Sequence, residues 1–165
     1  MNIVPLDETY HEDVLTIADD LRIDEEGSGW FTDEAVDETI PVDIKIQKGY
    51  VSKIDDKIVG FITYFSEYST PKIGWMGVDP EYHRKGIGKL LLEKVEEVVI
   101  ESGTDILKVE TPTEEEGKGT GYEATYKFYR AMGFEMDETF EGDTCDMALL
   151  KKELVQRSDS ENERK

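Results

Sequence analysis

The stretch His83-Arg84-Lys85-Gly86-Ile87-Gly88-Lys89 constrains this chain more than any other. It follows a strand-like run, Ile73 to Val78, and opens an amphipathic helical run, Leu90 to Glu101. A strand, a basic glycine-containing turn and a helix N-terminus together make an anion cradle. Glycine lets the backbone come close to a ligand, and the first N–H groups of a helix have no partner inside it. The helix dipole adds partial positive charge at that end. Arg84, Lys85 and Lys89 add full charges. Such a turn suits a pyrophosphate. It lacks the longer spacing and the Gly-Lys-Ser/Thr ending of a P-loop, which counts against a nucleotide-phosphate enzyme of that class.

The rest of the pattern predicts strand, two helices, three strands, helix, strand, helix and two strands. Asn2 to Leu6 reads as a strand. Thr9 with Glu12 suggests a capping box before Val14, Ile17, Ala18 and Leu21, which recur at helical spacing. Asp33 to Thr39 is expected as a short helix stopped before Pro41. Tyr50 to Asp55 and Ile58 to Tyr68 read as a hairpin turning at Asp55-Asp56-Lys57, with a further turn at Thr70-Pro71. Lys72 to Val78 is the next strand. Ile106 to Thr111 is a strand joined to it through the helix, so the two are expected to run parallel. Pro112 to Gly121 is expected as a mobile loop and Tyr122 to Met132 as a helix. Phe134 to Phe140 and Thr144 to Leu150 form a last hairpin.

The chain has 165 residues, 38% hydrophobic and 35% charged, which suits one soluble domain with a real core. That domain is expected over 1–152, with a charged, disordered tail over 153–165. No signal peptide or membrane-spanning run is visible, so the expected location is the cytoplasm. One cysteine, Cys145, excludes an internal disulfide and a thiolate cluster for zinc, and two distant histidines, His11 and His83, speak against any metal. Thirty-nine acidic against nineteen basic residues give a net charge of −20. That balance argues against nucleic acid and against anionic membranes as partners. It reads either as a heavily solvated surface or as an acidic cleft that attracts cationic amines.

A second landmark follows in order: Phe128-Tyr129-Arg130-Ala131-Met132-Gly133-Phe134, an F-Y-x-x-x-G-F run at a helix end. With the glycine turn it resembles the GNAT superfamily of acetyl-CoA-dependent N-acetyltransferases. The turn is similar to that family's Q/R-x-x-G-x-G/A signature, with His83 at its first position, and the resemblance spans about Asn2 to Leu150. It implies an α/β (α+β) fold: a mixed central sheet of about seven strands flanked by about four helices. It also implies a splayed V between the strands near 72–78 and 106–111. Many members carry an Asn seven residues before the tyrosine; this chain has Tyr122 there.

The resemblance further implies an acetyl group moved from acetyl-CoA to a primary amine by direct attack in a ternary complex. Arg84, Lys85, Gly86, Ile87, Gly88 and Lys89 would hold the pyrophosphate, with His83, where the family has Gln or Arg, counted among the coenzyme-binding residues. Backbone groups of Met76, Gly77 and Val78 would pair with the pantetheine arm as in strand addition, with the Met76 N–H at the developing oxyanion. Tyr129 would be the general acid for the leaving thiolate. Glu67 is the first candidate for the base, Glu110 the second, and a water chain without a dedicated base is the third reading. Trp30 and Phe31 read either as walls of the acceptor pocket or as buried core aromatics, with Glu114, Glu115, Glu116, Glu141 and Asp143 as an acidic rim. That rim predicts a cationic acceptor: a polyamine, an aminoglycoside-like amine or a basic peptide. Cys145 reads as an acyl relay or, with no His or Asp paired to it in sequence, as a small strand thiol. A homodimer is a candidate assembly. The alternative function is a noncatalytic acyl-CoA sensor or interaction module.

Overall fold

The structure, a computed structural model, describes residues 1–154. Seven strands form one sheet: β1 (Asn2–Pro5), β2 (Lys48–Ile54), β3 (Lys57–Glu67), β4 (Thr70–Val78), β5 (Ile106–Pro112), β6 (Glu135–Glu141) and β7 (Asp146–Glu153). Their spatial order is β1-β2-β3-β4-β5-β7-β6. Every neighbouring pair is antiparallel except β4 and β5, which run parallel as expected. Five helices accompany the sheet: α1 (His11–Asp20), α2 (Ile40–Ile46), α3 (Ile87–Glu101), α4 (Glu114–Gly117) and α5 (Gly121–Ala131). Four were expected. The additional one, α4, is a single turn within the expected loop, capped by the Thr113 hydroxyl.

Two cores explain the residue pattern. α3 and α5 cover one face with Leu91, Leu92, Val95, Tyr126 and Tyr129 over Val59, Ile62, Ile73, Leu107 and Val109. α1 and α2 cover the other with Val14, Ile17, Ile40 and Ile44 over Val51 and Phe61. β3 is buried from Ile58 to Thr63 because helices lie on both its faces. β6 is exposed along its whole length.

Several local expectations are corrected. The Thr9–Glu12 capping box does not form; Asp7 accepts the Thr9 N–H and caps a 3-10 turn, Glu8–Tyr10, that leads into α1. Pro41 does not stop its helix. A π-helical stretch, Ala35–Thr39, runs into α2, and Pro41 falls in the first turn of α2, where no N–H is needed. The turn expected at Thr70-Pro71 lies at Tyr68-Ser69, with φ of 51° and 65°. α3 begins at Ile87, inside the glycine motif. β7 runs through Glu153 and Leu154 is buried, so the folded body passes the expected boundary at 152 by two residues. The remainder of the expected tail, 155–165, lies outside the described residues.

An irregularity in the β3–β4 pairing shapes the middle of the sheet. Ile62 pairs with Met76 and Tyr64 with Ile73, so the single residue Thr63 faces both Gly74 and Trp75. This is a β-bulge, which bends its strand. The Thr63 hydroxyl accepts the Trp75 N–H at 2.8 Å and donates to Gln47 Oε1 at 2.7 Å. A Cβ at Gly74 would lie 2.7 Å from that hydroxyl and closer still to Gln47 Oε1, so only glycine fits. The Trp75 indole donates to Asp43 Oδ2 at 2.8 Å and ties the bulge to α2. Past the bulge β4 leaves β5: their pairing is confined to Lys72 with Lys108 and Ile73 with Val109. The V expected between these strands is therefore present, opening towards their C-terminal ends.

Candidate active site

The glycine turn stands at the mouth of this V. Asp79 follows β4 and caps the 3-10 turn Pro80–Tyr82, accepting the Glu81 N–H at 3.0 Å. Lys57 Nζ reaches Asp79 Oδ2 at 3.4 Å and braces the turn from the β2–β3 hairpin. Arg84 and Gly86 take left-handed backbone angles, φ of 63° and 78°. Those two reversals swing the chain straight into α3. No side chain caps α3, and its first turn has no acidic residue. The N–H groups of Ile87, Gly88 and Lys89 are thus left for an outside acceptor. A Cβ at Gly86 would meet nothing within 4 Å, so this glycine is there for its angle. A Cβ at Gly88 would lie 3.7 Å from the Phe128 ring and 3.9 Å from Met76 Cε, so this one keeps the floor between α3, α5 and β4 low. Lys85 Nζ sits 5.1 Å over the Tyr82 ring, and Lys89 lies 3.9 Å from Glu93.

His83 has a different task from the one expected. Its ring turns back from the cradle and donates from Nε2 to the Val78 carbonyl at 2.7 Å. Trp30 stacks edge-on against it, ring centres 5.4 Å apart. His83 therefore closes the turn onto the end of β4.

Within the V, backbone parity sorts the donors. The Trp75 and Asp79 N–H groups point to β3, where they are taken by Thr63 Oγ1 and the Val59 carbonyl. Gly77 shares their parity. Met76 and Val78 have the opposite parity and face the gap towards β5. Gly77 packs on Phe61 and Leu21, where a Cβ would fall 2.8 Å from each side chain. On the other wall the Thr111 hydroxyl is buried without a hydrogen-bond partner among the described residues. Sequence reasoning missed it, and it missed the Thr63–Gln47 bulge support, although a lone glycine within a strand pattern is a signal for a bulge.

Two tyrosines of α5, Tyr126 and Tyr129, pack in the core over the sheet. Tyr129 is 3% exposed, wedged between Phe128 and Phe134 at centre distances of 5.2 and 5.3 Å. Burial pushes its phenol well above the ordinary tyrosine value, so it stays protonated and acts as a donor only. Tyr122 is also pushed up, first by burial and then by nearby Cys145. Tyr126 is buried on the β6 side of the helix.

Glu67 and Glu110 meet at one ammonium. Lys72, itself buried, pairs with Glu110 and lies 3.6 Å from Glu67. Leu107, Val109 and Thr111 face α3 and α5, so the alternating Glu110 faces the opposite side of the sheet. It is the first β5 residue past the last β4–β5 pair. Lys108 and Lys151 share that face and hold Asp137 of β6 at 3.3 and 3.4 Å; their charges and hydrogen bonds lower its pKa against an opposing burial effect.

The expected acceptor pocket does not assemble as one unit. Phe31 is a core side chain, 5% exposed and edge-on to Trp75 at 5.6 Å. Trp30 borders His83 and the start of α5, where it faces Gly121. Glu114, Glu115 and Glu141 instead line a separate cavity beside Tyr126, while Glu116 and Asp143 are outside its lining. Cys145 is a free, partly buried thiol 3.8 Å from the Met147 sulfur. Among the described residues no cluster of metal-ligating side chains occurs, and no helix is long and apolar enough to cross a membrane.

Comparison with known proteins gives a coherent result. The family model described as "Acetyltransferase (GNAT) domain" matches residues 46–136. Among curated proteins, none matches the chain by sequence. The chain is similar in structure to a putative GNAT-family acetyltransferase from Desulfovibrio desulfuricans, with a TM-score of 0.76 and 18% identity over 93% of this chain and 100% of that one. It is similar to the ribosomal-protein-S18-alanine N-acetyltransferase of Escherichia coli, with a TM-score of 0.70 and 16% identity over 93% and 94%. An aminoglycoside 6'-N-acetyltransferase complexed with coenzyme A aligns with a TM-score of 0.70 and 13% identity over 95% and 99%. At these identities the structural likenesses speak for the fold.

Proposed function

The chain belongs to the GNAT family of acetyltransferases, and we propose that it moves an acetyl group from acetyl-CoA to a primary amine by direct attack in a ternary complex. The observation that carries this reading is the uncapped start of α3, set at the mouth of a V whose β4 wall presents free backbone donors. The residues present fit coenzyme A. The helix N-terminus with Arg84, Lys85 and Lys89 suits its pyrophosphate, and the Met76 and Val78 N–H groups suit its amide-bearing arm. A structural neighbour of the same fold was solved with coenzyme A. Bound there, acetyl-CoA supplies an activated carbonyl and a thiol leaving group.

The chain's own groups divide the work by side of the sheet. The Met76 N–H donates to the carbonyl oxygen as it gains negative charge. The amine nitrogen attacks the carbonyl carbon, and the C–S bond then breaks. Tyr129 gives its phenolic proton, directly or through water, to the departing sulfur. Glu110, on the face opposite α5, takes the amine proton through water while Lys72 holds its carboxylate in place. We prefer Glu110 to Glu67 because it lies on the strand that lines the opening; Glu67 ends β3 and is half exposed. The net charge of −20 favours a cationic acceptor, since the field of the whole molecule raises the local concentration of ammonium ions.

Thiol release from acetyl-CoA against a panel of cationic, neutral and anionic amines tests the reading. Cationic acceptors should turn over fastest at low salt. Tyr129→Phe should lower kcat by about 10²–10³-fold, the range of a lost general acid, with coenzyme A affinity within about twofold of the parent. Absence of thiol release with every amine would leave the noncatalytic acyl-CoA-binding reading in its place.

A further inference from the structure

The bulge in β4 is held by a side chain that is itself held by another. Trp75 donates its backbone N–H to the Thr63 hydroxyl of β3 at 2.8 Å. A hydroxyl has one proton, and Thr63 gives its own to Gln47 Oε1 at 2.7 Å. Only lone pairs are then left to face Trp75, so Gln47 fixes Thr63 as an acceptor. Gln47 is fixed in turn. It closes α2, and its backbone N–H donates to the Asp43 carbonyl at 2.7 Å. The Asp43 carboxylate takes the Trp75 indole N–H at 2.8 Å, and Phe31 lies edge-on to that indole. Trp75 is thus anchored twice to the C-terminal half of α2, once through its backbone and once through its side chain. Those two anchors set the plane of the next peptide, which carries the Met76 N–H. A regular ladder would need none of this. Thr63 is a fully buried hydroxyl at the end of a buried run. Gly74 weakens its strand, and it is required because a Cβ there would collide with both Gln47 Oε1 and Thr63 Oγ1.

We propose that Gln47 is a positioning residue for acetyl transfer: through Thr63 and Trp75 it aims the Met76 N–H into the V. The proposal rests on the oxyanion role given to that N–H above. Gln47 itself stays clear of the reacting atoms. It contacts Thr63 and the Gly74 backbone, and Trp75 beside them packs into the core under α1 and α2, whereas Met76 packs into the core under α3 and α5. Without the Gln47 oxygen the Thr63 proton is free to turn towards the Trp75 N–H. Two donors then meet, the bond is lost, and the bulge relaxes. A Met76 N–H out of line with the carbonyl oxygen weakens the transition state more than the bound ground state. The basic turn at the head of α3 lies past the other end of the V and is untouched by the change. The expected sign is therefore a lower kcat with little change in the KM for acetyl-CoA.

Two variants of the full chain test this. Gln47→Met is close in shape and lacks the amide oxygen; Gln47→Glu keeps an accepting oxygen. Gln47→Met should lower kcat by about tenfold with the KM for acetyl-CoA within about twofold, and Gln47→Glu should restore most of the loss. Gln47→Leu gives the same comparison if the methionine variant fails to fold, as thermal melts will show. The second readout is vibrational. Acetyl-CoA labelled with ¹³C at the thioester carbonyl is bound to each chain without amine, and its stretching band is compared with that of free acetyl-CoA. The Met76 N–H polarises the carbonyl and should lower the band in the parent. The band should move back towards the free value in Gln47→Met and stay lowered in Gln47→Glu. A band and kcat unchanged in Gln47→Met would overturn the proposal alone, as would equal losses in Gln47→Met and Gln47→Glu, which mark a packing role. A parent that binds acetyl-CoA with no lowering of the band would overturn the oxyanion role of Met76 and this proposal with it. A band that responds as expected, with no thiol release to any amine, would count against the transferase reading and leave the positioning role standing.

Discussion

Tyr129 shows how far one residue can be read. Its place in the F-Y-x-x-x-G-F run is what proposes it as the proton donor, and the fold surrounds it with Phe128 and Phe134 until the phenol is pushed up by burial alone. The sign of the resulting pH dependence is fixed. A raised value in the folded chain means that its stabilising effect is complete below the unfolded tyrosine value near ~10, and is lost as pH rises towards the folded value. Thermal melts should therefore fall above about pH 10, and Tyr129→Phe should flatten that fall. His83 is the counter-example. Sequence placed it among the coenzyme-binding residues, and tertiary structure gave its ring the Val78 carbonyl and the edge of Trp30. His83→Ala should thus loosen the turn and raise the KM for acetyl-CoA while leaving kcat nearly unchanged, as steady-state kinetics at saturating amine would show. A fall in kcat of the Tyr129→Phe size would assign His83 to the chemistry instead.

At the scale of elements, the start of α3 and the bulge in β4 set opposite demands on the chain. Gly88 is helical, and an alanine there meets its neighbours only at ordinary contact distances. Gly88→Ala should therefore raise stability by about 0.5–1 kcal/mol through the lower entropy of the unfolded chain. If the proposed pyrophosphate rests on this turn, the same methyl crowds its approach, and the KM for acetyl-CoA should rise by about tenfold. Denaturant melts and initial rates read the two effects separately. The bulge is a structural investment at Thr63, whose hydroxyl serves the Trp75 N–H and Gln47 together. Thr63→Val keeps the shape but strands a buried N–H and should cost about 1–3 kcal/mol. β6 stands apart from both. Its Glu135, Asp137, Glu138 and Glu141 put charge along an exposed sheet edge, a known guard against strand-to-strand aggregation.

The whole molecule carries −20 charges, and that number was legible before any coordinate. Self-repulsion of this size predicts a Tm that rises with salt, by about 2–4 °C for each kcal/mol of repulsion screened, as the Debye length shrinks. Melts between about 0.02 M and about 0.5 M NaCl check it; a flat response would mean that local pairing already neutralises the surface. Such pairing is visible around Arg22, which bonds Asp19, Asp33 and Asp37 and ties the loop after α1 to the π-helical stretch. Hydrophobic periodicity and turn residues were enough to order the elements, to make β4 and β5 parallel and to set the basic glycine turn at the head of α3, because those signals act over a few neighbouring residues. Only tertiary structure decided the rest. Pro41 could continue a helix because a π-helical stretch preceded it. Glu67 and Glu110 shared Lys72 because the sheet register brought three strands to one point. Glu114, Glu115 and Glu141 came together beside Tyr126 because α4 and the β6–β7 hairpin meet there. Each is a contact between segments far apart in the chain, whose partners no local pattern names.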